Sequence, residues 1–324
     1  MMKPIRKHLS FLLTLLSVGA LLLAGCAPRP GAGQGNMNEE ELFVDLPAIL
    51  VEFDANGDAI VLGKPVAELK DALGVDLSAL SLGTETLEKM TSANIQHIQV
   101  NNTPNVLRIY QNGNPLPAII WDEAAMTSLA ETLSSMGTDA SAIEALVPVL
   151  PNLGVGLALQ MPVASGKQAI PLQTKGTTLA ADRALQLFEG AKAAASSINL
   201  TLDYGPDGTP EIGGINPFML SMIGLQPAAL ALPPDQLESI AGQGIQSLGI
   251  KTVQGGLIIA VNGNTLPYLQ WSSPEELNSM LALAGAFAGP ELAGTISQLQ
   301  LIFNFPGISA TVTFRNLHKH SHKM

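Results

Sequence analysis

Side chains able to do proton or metal chemistry near neutral pH are few in this chain. One histidine, His97, lies between Cys26 and Leu317, and histidine is the usual carrier of protons in that range. It falls on an expected strand beside Ile95 and Ile98, and Ser247 stands 150 positions later, so it reads as a structural histidine outside any doubled site. His318, His320 and His322 occupy alternate positions of a His/Lys-rich tail, 317–324. Such imidazoles bind Zn, Ni or Cu weakly at most, and no resident metal is expected. Asp54-x-Asn56-x-Asp58 has the oxygen spacing of a calcium loop, but its glycine is fourth and Pro65 stands where the bidentate ligand is needed. Glu85 and Glu88, with Asp235 and Glu238 in matching places, sit in first turns of expected helices, where the helix dipole favours acids. The chain contains no G-x-S-x-G elbow, H-E-x-x-H, phosphate loop or dinucleotide fingerprint. The expectation is a non-enzyme with no cofactor and no catalytic residues; a hydrolase whose carboxylates meet only in the fold stands behind it.

The elements that would position any site are doubled. Asn112-Gly113-Asn114-Pro115-Leu116-Pro117-Ala118-Ile119-Ile120-Trp121 returns as Asn262-Gly263-Asn264-Thr265-Leu266-Pro267-Tyr268-Leu269-Gln270-Trp271, displaced by 150 residues. Asn-Gly between apolar runs signals a hairpin, because both residues tolerate positive φ. Around each copy the pattern predicts the same series. A hairpin opens it, Ile49–Phe53 with Ala59–Leu62 in one copy and Ile198–Tyr204 before Gly205-Pro206-Asp207-Gly208 in the other. Short helices follow at Pro65–Leu73 and Thr84–Asn94, matched by Pro217–Ile223 and Pro234–Gly242. A three-stranded meander from Ile95, or from Ile245, then ends at the Trp and a further helix. Asp122 is the expected cap of that helix in the first copy, and Ser273-Pro274-Glu275-Glu276 supplies cap, first-turn proline and capping-box glutamate in the second. Closing strands are expected at Val155–Met161 and Leu299–Phe305, the latter turning at Pro306-Gly307 into Ile308–Phe314. Ala164–Thr177 reads as loop. Thr178–Ser197 reads as a helix without counterpart, burying Leu179, Leu185 and Phe188. The fold class is therefore α+β: two tandem homologous domains, each a mostly antiparallel sheet with three to four packed helices, covering 42–177 and, with the bridging helix, 178–316.

The amino terminus carries an address. Lys3, Arg6 and Lys7 precede an apolar run from Leu9 to Leu23, then small residues and the chain's single cysteine, Cys26. Leu23-Ala24-Gly25-Cys26 resembles the lipobox of bacterial lipoproteins. That resemblance covers about the first thirty residues and implies a signal peptide, 1–25, cleaved before Cys26. It also implies a diacylglycerol thioether on the sulfur and an acyl chain such as palmitate on the new amino group. Several acyl chains make a lasting membrane anchor. The implied location is the outer face of the cell membrane, or the outer membrane if the cell has one. Residues 26–41, poor in apolar content, then form a flexible tether reaching roughly 20 Å.

Without the signal the chain has 13 Lys+Arg against 27 Asp+Glu, a formal charge of −14. Nucleic acid is excluded as a partner on that balance. Charged residues are 13% of the chain, against a typical value of about 25%, while 47% are hydrophobic. The surplus apolar surface suggests an apolar or lipid-like ligand in a groove between the two repeats. Trp121 and Trp271, at the strand-to-helix junction of each copy, pack the helix against the sheet or else offer a ligand a stacking platform, and with Tyr268 and Arg108, where the copies differ, they are the candidate binding residues. Tyr268 answers to Ala118 and Arg108 to Ile258, so any site is single. The alternative expectation is a cell-envelope scaffold that holds another protein.

Overall fold

The structure, a computed structural model, describes residues 41–45, 49–73, 81–135, 155–173, 175–214, 231–232, 234–288 and 305–314. Cys26 with its signal and most of the tether, the tail histidines His318, His320 and His322, the helix expected at Pro217–Ile223 and all but the last residue of the strand expected at Leu299–Phe305 lie outside them. The protein is mixed α/β, mostly sheet and mostly antiparallel, with six helices among the described residues. None of those helices is long and apolar enough to cross a membrane.

Two compact units are formed. The sheet of the first is built from β2 (Ile49–Phe53), β3 (Ala59–Val61), β4 (Lys64–Pro65), β5 (His97–Thr103), β6 (Val106–Gln111), β7 (Asn114–Pro115) and β9 (Val155–Gln160), with β8 (Ala118–Ile120) at its boundary. Its order is β6-β5-β9-β2-β3-β4, with β7 and β8 on β6, and β2 pairs with β9 in parallel. Asn56 and Gly57 make the first reversal, held by Asp54, whose Oδ1 accepts from the backbone N–H of Asn56 at 2.8 Å and Asp58 at 2.9 Å. The bond from Asp58, with others from Asn56 and Gly57, holds the Asp54 carboxyl below the usual aspartate range. That carboxylate is committed to its own turn. One face of the sheet carries the core: Val51, Phe53, Ile98, Leu157 and Leu159 pack with Val66 and Leu69 of α1 (Val66–Leu73) and Leu87 and Met90 of α2 (Thr84–Ser92). Each such burial stabilises by about 1.5–3 kcal/mol.

The second unit has its own sheet, likewise mostly antiparallel. β11 (Ile198–Tyr204), β12 (Pro210–Gly213), β13 (Ser247–Val253), β14 (Gly256–Val261), β15 (Asn264–Thr265), β16 (Tyr268–Gln270) and β17 (Ile308–Phe314) run in the order β12-β11-β17-β13-β14-β16, with β15 on β14. Here β11 pairs with β17 in parallel. β17 is the strand expected after the Pro306-Gly307 turn. Ile98 faces Leu159 in one unit and Leu248 faces Val312 in the other.

The compact units cut across the sequence segments 42–177 and 178–316. α3 (Glu123–Ser135) follows the first meander but belongs to the second unit, whereas α6 (Pro274–Ala288) follows the second meander and belongs to the first. The two meanders have thus exchanged the helices that come after their tryptophans. Asp122 caps α3 as expected, its Oδ1 accepting from the Ala125 N–H at 2.7 Å. In the second unit it also meets Lys192, at 3.0 Å, on α4 (Ala181–Ala193). Burial would depress the Lys192 ammonium, yet its bonds to Glu189 and Asp122 outweigh this and hold its pKa above the ordinary lysine value.

One further sheet belongs to the first unit, a two-stranded ribbon of β1 (Glu41–Asp45) and β10 (Lys175–Leu179), with Glu41 opposite Leu179. The helix expected from Thr178 accordingly starts at Ala181: the β-branched pair Thr177 and Thr178 favours extended backbone, and β1 is available to pair with it. Along α4, Ala184, Phe188 and Ala191 are buried, while Leu179 and Leu185 are half-buried.

Candidate functional site

Most strands of half-buried sheets alternate polar and apolar; β5 instead buries polar residues in a row. Gln96 just before it, and His97, Gln99, Asn101 and Asn102 within it, are all at most 5% exposed. Successive side chains alternate between faces, so His97, Gln99 and Asn101 share the face opposite Ile98 and the core. Residues directly opposite on paired strands also share a face. Tyr110 faces Gln99 and Arg108 faces Asn101, which adds a phenol and a guanidinium to the row. The result is a polar shelf on the first unit, about 13 Å long from His97 to Asn101 at 3.3 Å per residue.

Residues 163–173 and 175–179 run along this shelf, as a strap. Gln96 grips it with both ends of its amide, Nε2–H donating to the Gln168 carbonyl at 2.8 Å and Oε1 accepting from the Ile170 N–H at 2.9 Å. His97 Nε2 stands 2.7 Å from the Ile170 carbonyl. A carbonyl only accepts, so Nε2 carries the hydrogen and Nδ1 is left with the lone pair. Gln99 Nε2–H donates to the Gln173 carbonyl at 2.7 Å. Tyr110 Oη accepts from the Thr177 N–H at 2.6 Å and donates to the Thr177 carbonyl. These contacts read the main chain of the strap. Its side chains at Gln168, Ala169, Pro171 and Gln173 are exposed.

Four shelf atoms are buried without a hydrogen-bond partner: His97 Nδ1, Gln99 Oε1, Asn101 Nδ2 and Arg108 Nε. Burying such a group unpaired costs about 1–3 kcal/mol, so four on one face is a costly arrangement. Arg108 uses its remaining nitrogens on Glu276 of α6, at 2.9 and 3.3 Å, with both side chains 7% exposed. Glu276, read from the sequence as a capping-box glutamate, holds a buried ion pair.

The four residues expected to line a ligand site divide between the units. Arg108 is on the shelf of the first; Trp121, Trp271 and Tyr268 are in the second. Trp121 and Trp271 are 3% and 7% exposed at their strand-to-helix junctions. The Tyr268 ring is buried and stacks on Phe188, centroids 5.9 Å apart, and Lys192 Nζ lies 4.3 Å from the centre of the Phe188 ring. Burial pushes the Tyr268 phenol up to about 12. Glu85 pairs with Lys89 one turn on, at 3.1 Å, as a surface helix contact. Among the described residues no three metal-ligating side chains gather.

The sign of the shelf in the sequence is Gln96-His97-x-Gln99 on the strand expected at Ile95–Val100; the turn expected from Asn101 starts later, because the strand runs on to Thr103 and takes Asn101 and Asn102 with it. The partner segment reads in the sequence as loop over Ala164–Thr177 and as the start of a helix from Thr178. Comparison of the chain with family models, curated proteins and solved structures returns no match.

Proposed function

We propose that the chain is an exported lipoprotein, held through lipid on Cys26 at the outer face of a bacterial membrane, where it works by binding and not by catalysis. The export and anchor rest on Leu23-Ala24-Gly25-Cys26 following a basic and then an apolar segment. The observation that carries binding over catalysis is the commitment of the reactive groups. His97 Nε2 is tied to Ile170, Arg108 and Glu276 to each other, and Asp54 to its own turn. The architecture serving that role is, in our reading, an internal duplication of one α+β domain. The shared order of five strands, β6-β5-β9-β2-β3 and β14-β13-β17-β11-β12, and the displacement of 150 residues support it.

The occupant favoured by composition is an apolar or lipid-like molecule, since 47% of residues are hydrophobic and 13% charged. The scaffold reading has an observation of its own, the main-chain grip of the shelf on an extended segment. Crosslinking in intact host cells, followed by native mass spectrometry of the purified full-length protein, separates the two. A saturable lipid adduct supports the carrier, and a single dominant crosslinked protein supports the scaffold. Protein that is empty and uncrosslinked, yet hydrolyses an ester, glycoside or peptide substrate, would overturn the binding role.

A further inference from the structure

We infer that the polar shelf of the first unit is a binding site for an extended polypeptide segment of a partner protein, read through its main chain, and that the strap is the internal occupant that such a segment replaces. The inference goes beyond the envelope reading and does not depend on the lipid anchor.

Three observations carry it. The first is the mode of contact: Gln96, His97, Gln99 and Tyr110 all bond main-chain atoms of the strap, at Gln168, Ile170, Gln173 and Thr177. Main-chain groups are common to every extended peptide, so this set of side chains accepts any segment that offers them at the same spacing. Pro171 keeps Ile170 in the extended region, which presents its N–H and carbonyl to the shelf. The second is how lightly the front of the strap, Gln168–Gln173, is held otherwise; its far end, Lys175–Leu179, pairs with β1. Gln168, Ala169, Pro171 and Gln173 are exposed, and Ile170 and Leu172 are only half-buried. Hydrogen bonds exchanged for other hydrogen bonds contribute little net free energy, so a segment anchored mainly by them is replaceable.

The third is the unused capacity of the shelf. Gln96 uses both ends of its amide on the strap, whereas Gln99, on the same surface, uses only Nε2 and leaves Oε1 unbonded. His97 Nδ1 and Oε1 of Gln99 accept; Asn101 Nδ2 and Arg108 Nε donate. His97, Gln99 and Asn101 repeat about every 6.6 Å, close to the two-residue repeat of an extended chain, which alternates the matching donors and acceptors along one edge. A segment in a register that reaches these atoms makes bonds that the strap does not. The second unit lacks the device: Ser247, Gly249, Lys251 and Ile258 stand at the matching positions.

The test uses the full chain and, as probe, a fluorescently labelled synthetic peptide of residues 166–179. The variant Ile170→Pro with Thr177→Pro removes the two strap N–H groups that Gln96 and Tyr110 read, and leaves every shelf side chain in place. The expected result is saturable binding of the peptide by this variant, at least tenfold tighter than by the unaltered chain. Adding Gln99→Leu should weaken it about tenfold, and a peptide carrying the same two prolines should not bind. A folded variant that binds no better than the unaltered chain, or binding indifferent to Gln99→Leu, overturns the inference; bridging water alone would give the first of these results. Should the double variant fail to fold, hydrogen exchange on the unaltered chain decides. The Ile170 and Thr177 amides must open at least tenfold more often than those of Val100 and Ile109, and opening at the same rate overturns the inference.

Discussion

The guanidinium of Arg108 and the carboxylate of Glu276 meet in a two-pronged pair, Nη2 to Oε1 at 2.9 Å and Nη1 to Oε2 at 3.3 Å, although 168 residues separate them in sequence. The pair bolts α6 to the first unit. Displaced by 150, the same two places hold Ile258 and Met126, both buried and both in the second unit. One helix thus carries a buried charge pair where the other has buried apolar residues at the matching positions. Removing one member of a buried pair strands the other, at a cost of about 3–5 kcal/mol, whereas an apolar pair of similar volume is often neutral or better. Arg108→Ala and Glu276→Ala should each lower stability by that amount in urea titrations. Arg108→Ile with Glu276→Met, which copies the second unit, should come within about 1 kcal/mol of the unaltered chain or exceed it.

The repeated asparagine has a measurable role. Asn112 Oδ1 accepts from the N–H groups of Gln96 at 2.8 Å and His97 at 3.0 Å, and its Nδ2–H donates to the Asn94 carbonyl at 2.7 Å. Asn262 makes the same three bonds to Gln246, Ser247 and Gly244. Both residues sit at positive φ, 50° and 51°, where the following glycine completes a hairpin turn. Asn112→Ala should cost about 2 kcal/mol and Asn262→Ala about 1 kcal/mol, because the bonds of the second are exposed to water. Amide exchange at Gln96 and His97 should accelerate in the first variant alone.

Tyr268 and Gly256 form a complementary couple: a Cβ at Gly256 would overlap the Tyr268 ring. In the other copy the matching residues are Val106 and Ala118, with the bulk on the opposite partner. Gly256→Val alone overfills the site and Tyr268→Ala alone leaves a cavity, with expected losses of about 1–3 and 3–5 kcal/mol. Combined, they should recover at least about 1 kcal/mol relative to their sum, measured by chemical denaturation as a double-mutant cycle.

The phenol of Tyr268 also gives an alkaline signature. Its folded value, about 12, lies above the unfolded value of about 10, so the folded state holds the proton longer. Its contribution is complete below pH about 10 and is lost as pH rises toward 12. Over that window the unaltered chain should lose up to roughly 2 kcal/mol more than Tyr268→Phe, followed by thermal melting at successive pH values.

Local grammar made most of the fold legible in the sequence. The Asn-Gly turns, the Asp122 cap, the proline at the start of α6 and the paired Trp junctions all depend on neighbours within a few residues, and each is where its pattern placed it. Long-range choices were not legible. Nothing local distinguishes a helix that stays with its meander from one exchanged to another unit, because the same apolar stripe serves either partner. The strap escaped for a related reason: its contacts use main-chain atoms, which every sequence has, so only the buried polar row of β5 could betray it. Arg108 stands out in the sequence because Ile258 matches it 150 residues on, but its partner Glu276 is 168 residues away and no local pattern joins them.

The functional account depends on the membrane anchor, and the mass of the mature protein tests it most directly. Full-length protein extracted from the membranes of its host should have the intact mass of a chain beginning at Cys26, increased by a diacylglycerol and a further acyl group. Cys26→Ser should abolish that increment and release the protein from the membrane fraction. An unmodified cysteine, or a mature chain that begins elsewhere without lipid, would contradict the assignment.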